Sequence, residues 1–485
     1  MNDLSPNCEP ITKGCLARLA KVGLVLRMEL KIELRPDGPA FIEVPIELPD
    51  GARCLEVSYY ADGQARVDIG LAGPELGDYP SQKGFRGWSG AAREEFYVAR
   101  SSATPGYLAG PLEAGQWKIL LGRYQVPEPT IVHLSIRISD EDRHRLGSQA
   151  PDLDNPGRGP GWLKGDLHCH THHSDALGSL DELVQMARQK QLDFLAVTDH
   201  NTVAHHLEMV GDWGLTLILG QEVTTYKGHF NALGTGQWID FRFDDVEGLK
   251  KALASARQAG ALRVVNHPKP IHDDWKYDYW DDVDCIEVWN LPWATRNWVS
   301  LDLWHRLLCE GRRIPAVGGS DRHQPPLPDP DHPLLQLGGP TTWVYAQSNS
   351  EADILAALKA GGASISEGPN GPMAYFEHEG RVVTGQTLPG GTPLEIKLIG
   401  AGECQLRVVD SQGVVMQAKA QDQPFVLRGQ DFVRLELFIP VAEDHAYSGL
   451  VHQYHAATGL PFGMTPEEIL AHDRILGLSN PVYIE

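Results

Sequence analysis

The chain has 485 residues, of which 42% are hydrophobic, a length and composition typical of a folded protein with two or three domains. Its formal net charge of -22 disfavours a broad nucleic-acid footprint, so we do not expect polymeric DNA or RNA as a substrate. The seven cysteines are scattered and form no C-x-x-C pair, which argues against a zinc ribbon and against a disulfide scaffold.

The N-terminal part of the chain has the pattern of a strand-rich domain. Its opening segment, LARLAKVGLVLRMEL, is interrupted by Lys21 and Arg27 and lacks the apolar core of a signal peptide. No other run is long enough to span a bilayer, so we expect a cytoplasmic protein without a membrane partner. Apolar and polar residues alternate in AFIEVPIEL, LEVSYYADG, QWKILLGRYQV and TIVHLSIRIS. This alternation predicts a β-sandwich-like domain over residues 1–155.

After the linker PDLDNPGRGPG, residues 162–373 show strands that alternate with helices. Strand-like runs begin near Leu163, Leu192, Leu215, Leu262, Cys285, Ile314 and Thr341, with a short further run at Ala363. Helical spacing of apolar residues covers Ser179–Lys190, Val246–Ala259, Trp298–Glu310 and Glu351–Ala360. The alternation predicts an α/β barrel of seven strands, one fewer than the common eight.

Residues 374–485 return to a β pattern. The segments PLEIKLIG, CQLRVVD and VRLELFI predict a small C-terminal β subdomain. The tail that follows has one predicted helix, Pro466–Leu476, with Thr465 as its N-cap.

Histidines are concentrated in the predicted barrel, where 13 of the 20 lie between His168 and His332. His168 and His170 stand two residues apart on one strand, so their side chains point to the same face and can bind one metal ion. Other apolar runs also stop at ligand-type residues: LDFLAVTDH at His200, LTLILGQE at Glu222, LRVVNH at His267, and IPAVGGSDRH at Asp321 and His323.

The placement of these residues carries more weight than any one of them. A single histidine is more often a surface or core residue than a ligand, and one His-x-His pair can occur by chance. In a parallel barrel, however, the C-terminal ends of the strands meet at one face, so the whole set should lie together. Imidazole and carboxylate ligands suit Zn, Mn or Fe. The sequence therefore predicts a multinuclear metal centre.

Several motifs between Trp162 and Ser366 resemble those of the polymerase and histidinol phosphatase (PHP) superfamily, and within it the CehA/McbA-like metallohydrolases. They are GDLHCHTHHSD, AVTDHN, GQEVTTYKGHFNALG, VNHP, IEVWN and GGSDRH. The resemblance implies a distorted (β/α)7 barrel that holds two to three divalent metal ions. We therefore expect an α/β protein with this barrel between the two β-rich parts.

The resemblance also implies three sets of ligands. They are His168, His170, Glu222 and Asp321 for one metal; the bridging Glu222 with His229 and His267 for a second; and Asp175, His200 and His323 for a third. Many relatives have histidine in place of Asp175, and a carboxylate there favours a harder ion, Mn or Fe. His172 and His173 are near enough to compete as ligands, although Asp175 matches the motif better.

Paired divalent ions activate a bridging water and stabilise the anionic oxygens of an ester. We therefore expect a metal-dependent hydrolase, specifically a phosphoesterase that attacks a small phosphate mono- or diester with a metal-bridging hydroxide. Glu222, Asp321 and Asp199 are assigned to catalysis, and Asp199, like Asn266, is interpreted as a residue that orients ligands. The cations best placed for a phosphate are Lys269, Arg322 and Arg296, and a structural role is about as plausible for each.

Two alternatives stay open from the sequence. One is a hydrolase of carbamates or carboxylic esters, and the other is a metal-binding interaction protein without catalysis. Trp289, Trp293 and Trp298 indicate either an organic substrate moiety or ordinary barrel packing. The sequence contains no G-x-S-x-G elbow or Walker loop, which disfavours a serine hydrolase or an NTPase. It does not indicate the oligomeric state.

Overall fold

The computed structural model describes residues 24–144, 152–271, 274–324, 336–428 and 431–485. The N-terminal part consists of antiparallel strands, β1 Val25–Leu34, β2 Phe41–Leu48, β3 Cys54–Ala61, β4 Arg66–Ala72, β5 Phe85–Gly90, β6 Glu95–Ala99, β7 Gly115–Gln125 and β8 Thr130–Ser139. They form two sheets with the strand orders β1-β8-β3-β6 and β2-β7-β4-β5. All four strand segments predicted for this part are present, as β2, β3, β7 and β8.

The period-two pattern of these strands explains how the two sheets pack. In β8, Leu134 and Ile136 are buried and alternate with more exposed positions, because successive side chains point to opposite faces. Ile69 and Ile119 belong to the other sheet and join the same buried cluster. The apolar faces of both sheets therefore form one core, as in a β-sandwich.

The middle part combines strands and helices. Its elements are β9 Asp152–Leu153, β10 Gly161–Cys169, α1 Leu180–Gln189, β11 Phe194–Val197, β12 Asp212–Trp213, β13 Thr216–Thr225, β14 Gly228–Leu233, α2 Val246–Gln258, β15 Leu262–Val265, β16 Cys285–Asn290, α3 Asn297–Cys309, β17 Ala316–Gly319, β18 Thr341–Ala346, α4 Glu351–Lys359 and β19 Ala363–Ser366. Each of the four predicted helices forms within one or two residues of its predicted ends. Ser179 caps α1 in a capping box with Glu182, as the sequence indicates.

The first and last strands of the series from β10 to β17 come together at the ends that carry the candidate ligands. Hydrogen-bonded neighbours run in the order β17-β16-β15-β14-β13-β11-β10. Beyond β17 the chain then lies beside the end of β10, where the Asp321 N–H donates to the His168 carbonyl (2.7 Å) and the His170 N–H to the Arg322 carbonyl (3.0 Å). These bonds bring residues more than 150 positions apart into register.

This arrangement differs from the predicted alternation in two places. The turn before Gly228 folds β14 back against β13, so β14 is antiparallel to both of its neighbours, β13 and β15. The predicted strand at Thr341 forms as β18 but pairs antiparallel with β10 and leads outward to β19. Because no helix separates β13 from β14, the strict (β/α)7 alternation is not confirmed. The mixed α/β character with added strand-rich parts is confirmed.

The C-terminal part continues the same large sheet. Its elements are β20 Met373–His378, β21 Arg381–Val382, β22 Thr387–Leu388, β23 Pro393–Ile399, β24 Gln405–Asp410, β25 Gly413–Lys419, β26 Gln423–Val426, β27 Phe432–Ile439, α5 His445–Thr458, α6 Pro466–Ile469, β28 Arg474–Ser479 and β29 Val482–Ile484. β28 pairs with β19 and β27, and β27 pairs with β24. A second sheet, in the order β21-β20-β23-β26, packs against β24 and β27 and shares one buried apolar cluster with them.

The helix predicted over Pro466–Leu476 is wrong in its second half. Thr465 does cap a helix, but α6 ends at Ile469, and the apolar residues from Arg474 form β28 between two other strands. Sheet pairing therefore overrides a helical pattern that is weak in this stretch. The longer helix α5 was not predicted. Among the described residues, no helix combines the length and apolarity needed to cross a membrane.

We predict that Asn480→Ala destabilises the fold by roughly 2 to 4 kcal/mol. The Asn480 side chain is buried and accepts from the Ala316 N–H (2.7 Å) in β17, and it donates to the Ala316 (2.9 Å) and Ala363 (3.0 Å) carbonyls. Its loss removes these bonds from the buried Ala316 N–H and carbonyl, while the Ala363 carbonyl keeps the Asn480 N–H at 3.1 Å. Thermal denaturation should show a midpoint lower by several degrees. Gln412→Ala removes an exposed amide and is the matched control; equal midpoints for both variants would contradict the prediction.

Candidate metal centre

The candidate ligands stand at or just beyond the strand ends that meet near the β10–β17 contact. His168 lies in β10, Glu222 in β13 and His229 in β14. His267 lies two residues beyond β15, and Asp321 lies two residues beyond β17. Both of these last two residues have a left-handed backbone, with φ of 30° and 50°. Such a conformation costs about 1 to 3 kcal/mol for a residue other than glycine, so the surrounding packing must stabilise it.

All nine predicted ligands come together in overlapping groups whose ligand atoms lie within 4.8 Å of one another. The groups are His170, Asp175, His200 and His323; His168, His170 and Asp321; His168, Glu222 and His267; and His200, Glu222 and His229. Asp175, His200 and His323 stay together as predicted, whereas His229 shares a group with His200 rather than with His267. The whole predicted set is therefore one connected cluster.

Glu222 is the centre of this cluster. Its side chain is fully buried, and its carboxylate lies 3.4 Å from His168 Nε2, 2.7 Å from His200 Nδ1 and 3.0 Å from His229 Nδ1. The Asn266 side-chain amide also donates to Glu222 Oε1 (2.7 Å). Because its two oxygens face different histidines, this carboxylate can bridge two ions.

Charge pairing dominates the electrostatics of the cluster. Burial alone would raise the pKa of the Glu222 carboxyl, but His168, His200 and His229 hold it well below its usual range. Asp321 is shifted downward in the same way, with burial opposed chiefly by His168 and His170. The carboxyl groups are therefore charged and available to cations.

The histidines respond in opposite directions according to their neighbours. Burial would lower the pKa of His168, yet Asp321, Glu287 and Glu222 raise it well above its usual value. His170 lies beside two other histidines, and its burial together with their charge lowers its pKa to about 4. His170 is thus neutral at physiological pH, the form that binds metal.

Glu287 is a candidate positioning residue that was not singled out from the sequence. It is buried in β16, accepts the His267 N–H at 2.9 Å and lies 3.1 Å from His168 Nδ1. A carboxylate on Nδ1 fixes the imidazole so that the Nε2 lone pair faces the cluster. The signal was present in the sequence, because Glu287 is the one charged residue in the strand CIEVWN.

Asp199 supports the loop that carries the ligands rather than contributing to the cluster itself. It accepts from the Thr171 N–H (2.8 Å), the Thr171 hydroxyl (2.6 Å) and the Ser174 hydroxyl (2.6 Å). Burial opposes its ionisation, but His205 and His173 lower its pKa to about 2. These contacts suit an orienting residue better than a group that touches the reacting atoms.

The chemistry of the donor set fits divalent metal ions. His168 Nε2, His170 Nε2 and Glu222 Oε2 are buried and make no hydrogen bond of good geometry with the described residues, although each lies 2.7 to 3.4 Å from a charged neighbour in the cluster. Buried polar atoms are rarely left unsatisfied, since each one costs about 1 to 3 kcal/mol. These three atoms belong to the groups of potential ligands, and bound cations would satisfy them.

The three cations expected to contact a phosphate all have other surroundings. Lys269 is buried, and its Nζ donates to the Asn290 carbonyl (2.6 Å), Thr295 Oγ1 (3.0 Å) and Asn297 Oδ1 (2.9 Å). Burial lowers the pKa of this amine to about 7. Arg296 forms a bidentate pair with Glu468 of α6, at 2.6 and 3.2 Å. Arg322 is buried, and burial lowers its pKa. Their assignment to substrate binding gains no support from these positions.

His172 and His173 do not join the main cluster. Their ligand atoms form a separate group with Glu208, in which His173 Nε2 lies 3.2 Å from the carboxylate. His173 Nδ1 accepts the Gly106 N–H at 3.0 Å, so this nitrogen is already engaged. This arrangement fits a hydrogen-bonded support better than a metal site.

The N-terminal domain contacts the ligand-bearing loop directly. Arg93 donates from its guanidinium to the carbonyls of Ser174 (2.9 Å) and His172. Gly106 donates to the ring of His173 and accepts from the Thr202 hydroxyl (2.8 Å). The loop between His170 and Asp175 is therefore held from both sides, by the middle part of the chain and by the N-terminal part.

Two cavities adjoin the cluster. The polar cavity, about 310 Å³, lies toward the N-terminal domain and is lined by Asp175, His200 and His229 together with Arg66 and Tyr124. The apolar chamber, about 600 Å³, lies toward α5 and α6 and has Asp321 and His323 in its wall. The cluster is thus accessible from two sides of different chemical character.

Comparison with known proteins supports the PHP superfamily for the middle part of the chain. Residues 166–271 match the PHP domain family. An uncharacterized protein of Methanocaldococcus jannaschii is 26% identical over 144 residues, which is 26% of this chain and 82% of that protein. The assignment to the CehA/McbA-like branch is not confirmed.

Solved structures show weaker likeness. A two-domain protein from Bacteroides vulgatus containing a predicted PHP-like metal-dependent phosphoesterase has a TM-score of 0.36 and 21% identity, over 62% of this chain and 95% of that one. A putative metal-dependent phosphoesterase from Bifidobacterium adolescentis has a TM-score of 0.27 and 17% identity, over 36% of this chain and 92% of that one. Since both TM-scores are below 0.5, the PHP assignment rests on the domain match.

We predict that Glu222→Ala lowers the number of metal ions that the protein binds, because two of the ligand groups share this carboxylate. Metal content after equilibration with Mn²⁺ and gel filtration should fall by at least one equivalent per chain. The rise in thermal midpoint on adding Mn²⁺ should shrink in parallel, since a ligand stabilises the state that binds it.

His172→Ala is the matched control for this experiment. It removes a neighbouring imidazole that belongs to the separate group with Glu208. We expect its metal content to equal that of the wild type. Equal metal content in Glu222→Ala and the wild type would show that the ligand assignment is wrong.

Proposed function

We propose that the protein is a metal-dependent hydrolase that acts on a small phosphate mono- or diester. The observation that carries the proposal is the cluster of nine ligand-type side chains centred on the buried Glu222, itself one of the nine, in which several ligand atoms make no hydrogen bond of good geometry. The PHP domain match over residues 166–271 supports it. We further propose that two to three ions of Mn, Zn or Fe occupy the cluster, with a carboxylate ligand at Asp175 favouring Mn or Fe.

The number of overlapping groups favours a phosphate ester as the substrate. When bound, two or more divalent ions would lower the pKa of a water molecule and neutralise the anionic oxygens of the ester. A phosphate presents several such oxygens, whereas a neutral carbamate presents one carbonyl. Catalysis of phosphate transfer depends mainly on positioning and electrostatics, which a rigid and buried cluster can supply.

The chain's own residues provide this positioning. Glu287 holds the His168 imidazole through Nδ1, and the Asn266 amide holds one oxygen of Glu222. Asp199 fixes the loop after His170 by accepting from Thr171 and Ser174. We propose that these residues act through the ligands and that Glu222 and Asp321 act directly at the reacting atoms.

The proposal extends to the domain division, the size of the substrate and the cellular location. We propose the division into a β-sandwich-like domain over residues 1–155, a PHP barrel over 162–373 and a β subdomain with the tail over 374–485. A net charge of -22 would repel a polyanion, so small esters are the expected substrates. A cytoplasmic location remains a prediction from the sequence.

The test is a substrate panel with the metal-loaded protein. We expect hydrolysis of p-nitrophenyl phosphate or bis(p-nitrophenyl) phosphate in the presence of Mn²⁺, Zn²⁺ or Fe²⁺. Chelation with EDTA should abolish it, and readdition of the metal should restore it. Glu222→Ala should lower kcat by at least about 100-fold, whereas His172→Ala should stay within a few-fold of the wild type.

An aryl methylcarbamate at matched concentration separates the alternatives. Cleavage of the carbamate alone would make the protein a carbamate or carboxylic ester hydrolase. If metal binds but no ester or carbamate is cleaved, the hydrolase proposal fails and a metal-binding interaction protein becomes the better description.

A further inference from the structure

The apolar chamber beside the metal cluster is built from two distant parts of the chain. One wall is the segment after β16, which includes Leu291 and Ala294. The other wall comes from α5 and the residues that follow it, including Leu450, Leu460 and Phe462. Helix α5 was not predicted from the sequence. Because it forms one wall, the strand-end motifs could not indicate this chamber.

Candidate metal ligands form part of the chamber wall. Asp321 and His323 line the chamber, and both belong to the ligand groups. A molecule held at the cluster can therefore extend from it into the chamber without crossing bulk solvent. This continuity makes the chamber part of the same candidate site.

Most of the chamber surface is apolar, and beside the two candidate ligands its polar side chains are Thr295, Gln324, Tyr447 and Tyr454. No lysine or arginine is among the described residues that line it. The Thr295 hydroxyl is already used, because it accepts from Lys269 and lies 3.1 and 2.8 Å from the Asn290 and Pro292 carbonyls. A sugar or nucleotide would lose hydrogen bonds to water on entering such a space, whereas an apolar ring would not.

The walls of the chamber are fixed by ion pairs. Arg296 binds the Glu468 carboxylate of α6 with two nitrogens and donates to the Pro270 carbonyl (2.6 Å). At the other end, Asp444 caps α5 by accepting the Tyr447 N–H at 3.0 Å and pairs with Arg474 at 3.2 Å. The chamber is thus held open, and about 600 Å³ is far more than a phosphate group needs.

We propose that this chamber binds the apolar, ring-bearing part of the ester, so that the substrate class is aryl or other bulky apolar phosphate esters. The inference rests on the proposed function, because it assumes that the phosphate lies at the metal cluster. It goes further in assigning specificity to the C-terminal helix α5 and to the segment after β16.

The test compares methyl phosphate, phenyl phosphate and 1-naphthyl phosphate as substrates of the metal-loaded protein and its variants. Ala294→Phe fills the chamber from the barrel side, and Leu450→Glu places a charge in it from α5. Ala456→Phe makes the same change as Ala294→Phe at an exposed position of α5 and is the matched control. Metal content and thermal midpoint verify that each variant is folded and loaded.

The decisive quantity is the ratio of kcat/KM in the variant to that in the wild type, taken separately for each ester. This ratio cancels the intrinsic reactivity of the ester. For 1-naphthyl phosphate we expect it to fall by about tenfold or more in Ala294→Phe and Leu450→Glu. For methyl phosphate it should stay within about twofold, and Ala456→Phe should not change either value.

The outcomes separate this inference from the proposed function. If the wild type cleaves phosphate esters but both chamber variants affect all three esters equally, the inference is overturned and the proposed function stands. If the wild type cleaves none of them, the proposed function fails. In that case binding of 1-naphthol, followed by fluorescence, tests the chamber alone: weaker binding in Ala294→Phe supports it, and unchanged binding overturns it.

Discussion

A buried carboxylate surrounded by imidazoles is the constraint on which this structure depends. Glu222 is removed from water, and an isolated charge in such a place would be strongly unfavourable. Its stability requires positive charge nearby, from protonated histidines or from metal ions. The strand ends around it supply ligands rather than hydrophobic side chains for this reason. The left-handed backbone at His267 and Asp321 is a local cost of turning those ligands inward.

Much of the candidate site was predictable because its signals are local. His168 and His170 lie on one strand, and each further ligand ends its own apolar run, so the rule that strand ends converge was enough to group them. The helices were predictable for the same reason, since capping residues such as Ser179 and apolar spacing are properties of short segments. Buried parallel strands also show up as continuous apolar runs.

What could not be predicted depends on contacts between distant segments. The pairing of β14 with both neighbours depends on how the β13–β14 hairpin meets β15, which no local pattern encodes. The apolar residues after Arg474 become a strand because β19 and β27 offer free edges on either side of them. The surroundings of the cations were unpredictable for a related reason, because the sequence cannot show that Arg296 meets Glu468 or that Lys269 is enclosed by three acceptors.

The contact between Gly106 and the ligand loop has a consequence for how such a protein can change over time. A Cβ atom at position 106 would lie 2.3 Å from the His173 carbonyl oxygen and 2.9 Å from that of Trp88, and the backbone φ of 92° also suits glycine. The joint between sandwich and barrel therefore tolerates little variation at this point. A recombination event that exchanged the N-terminal domain for another would have to keep both this glycine and the Arg93 contact, or the loop ending at Asp175 would shift. The two parts are thus expected to be inherited as a unit, because they also share a buried apolar cluster that joins Trp88 and Leu120 to Phe230 and Trp238.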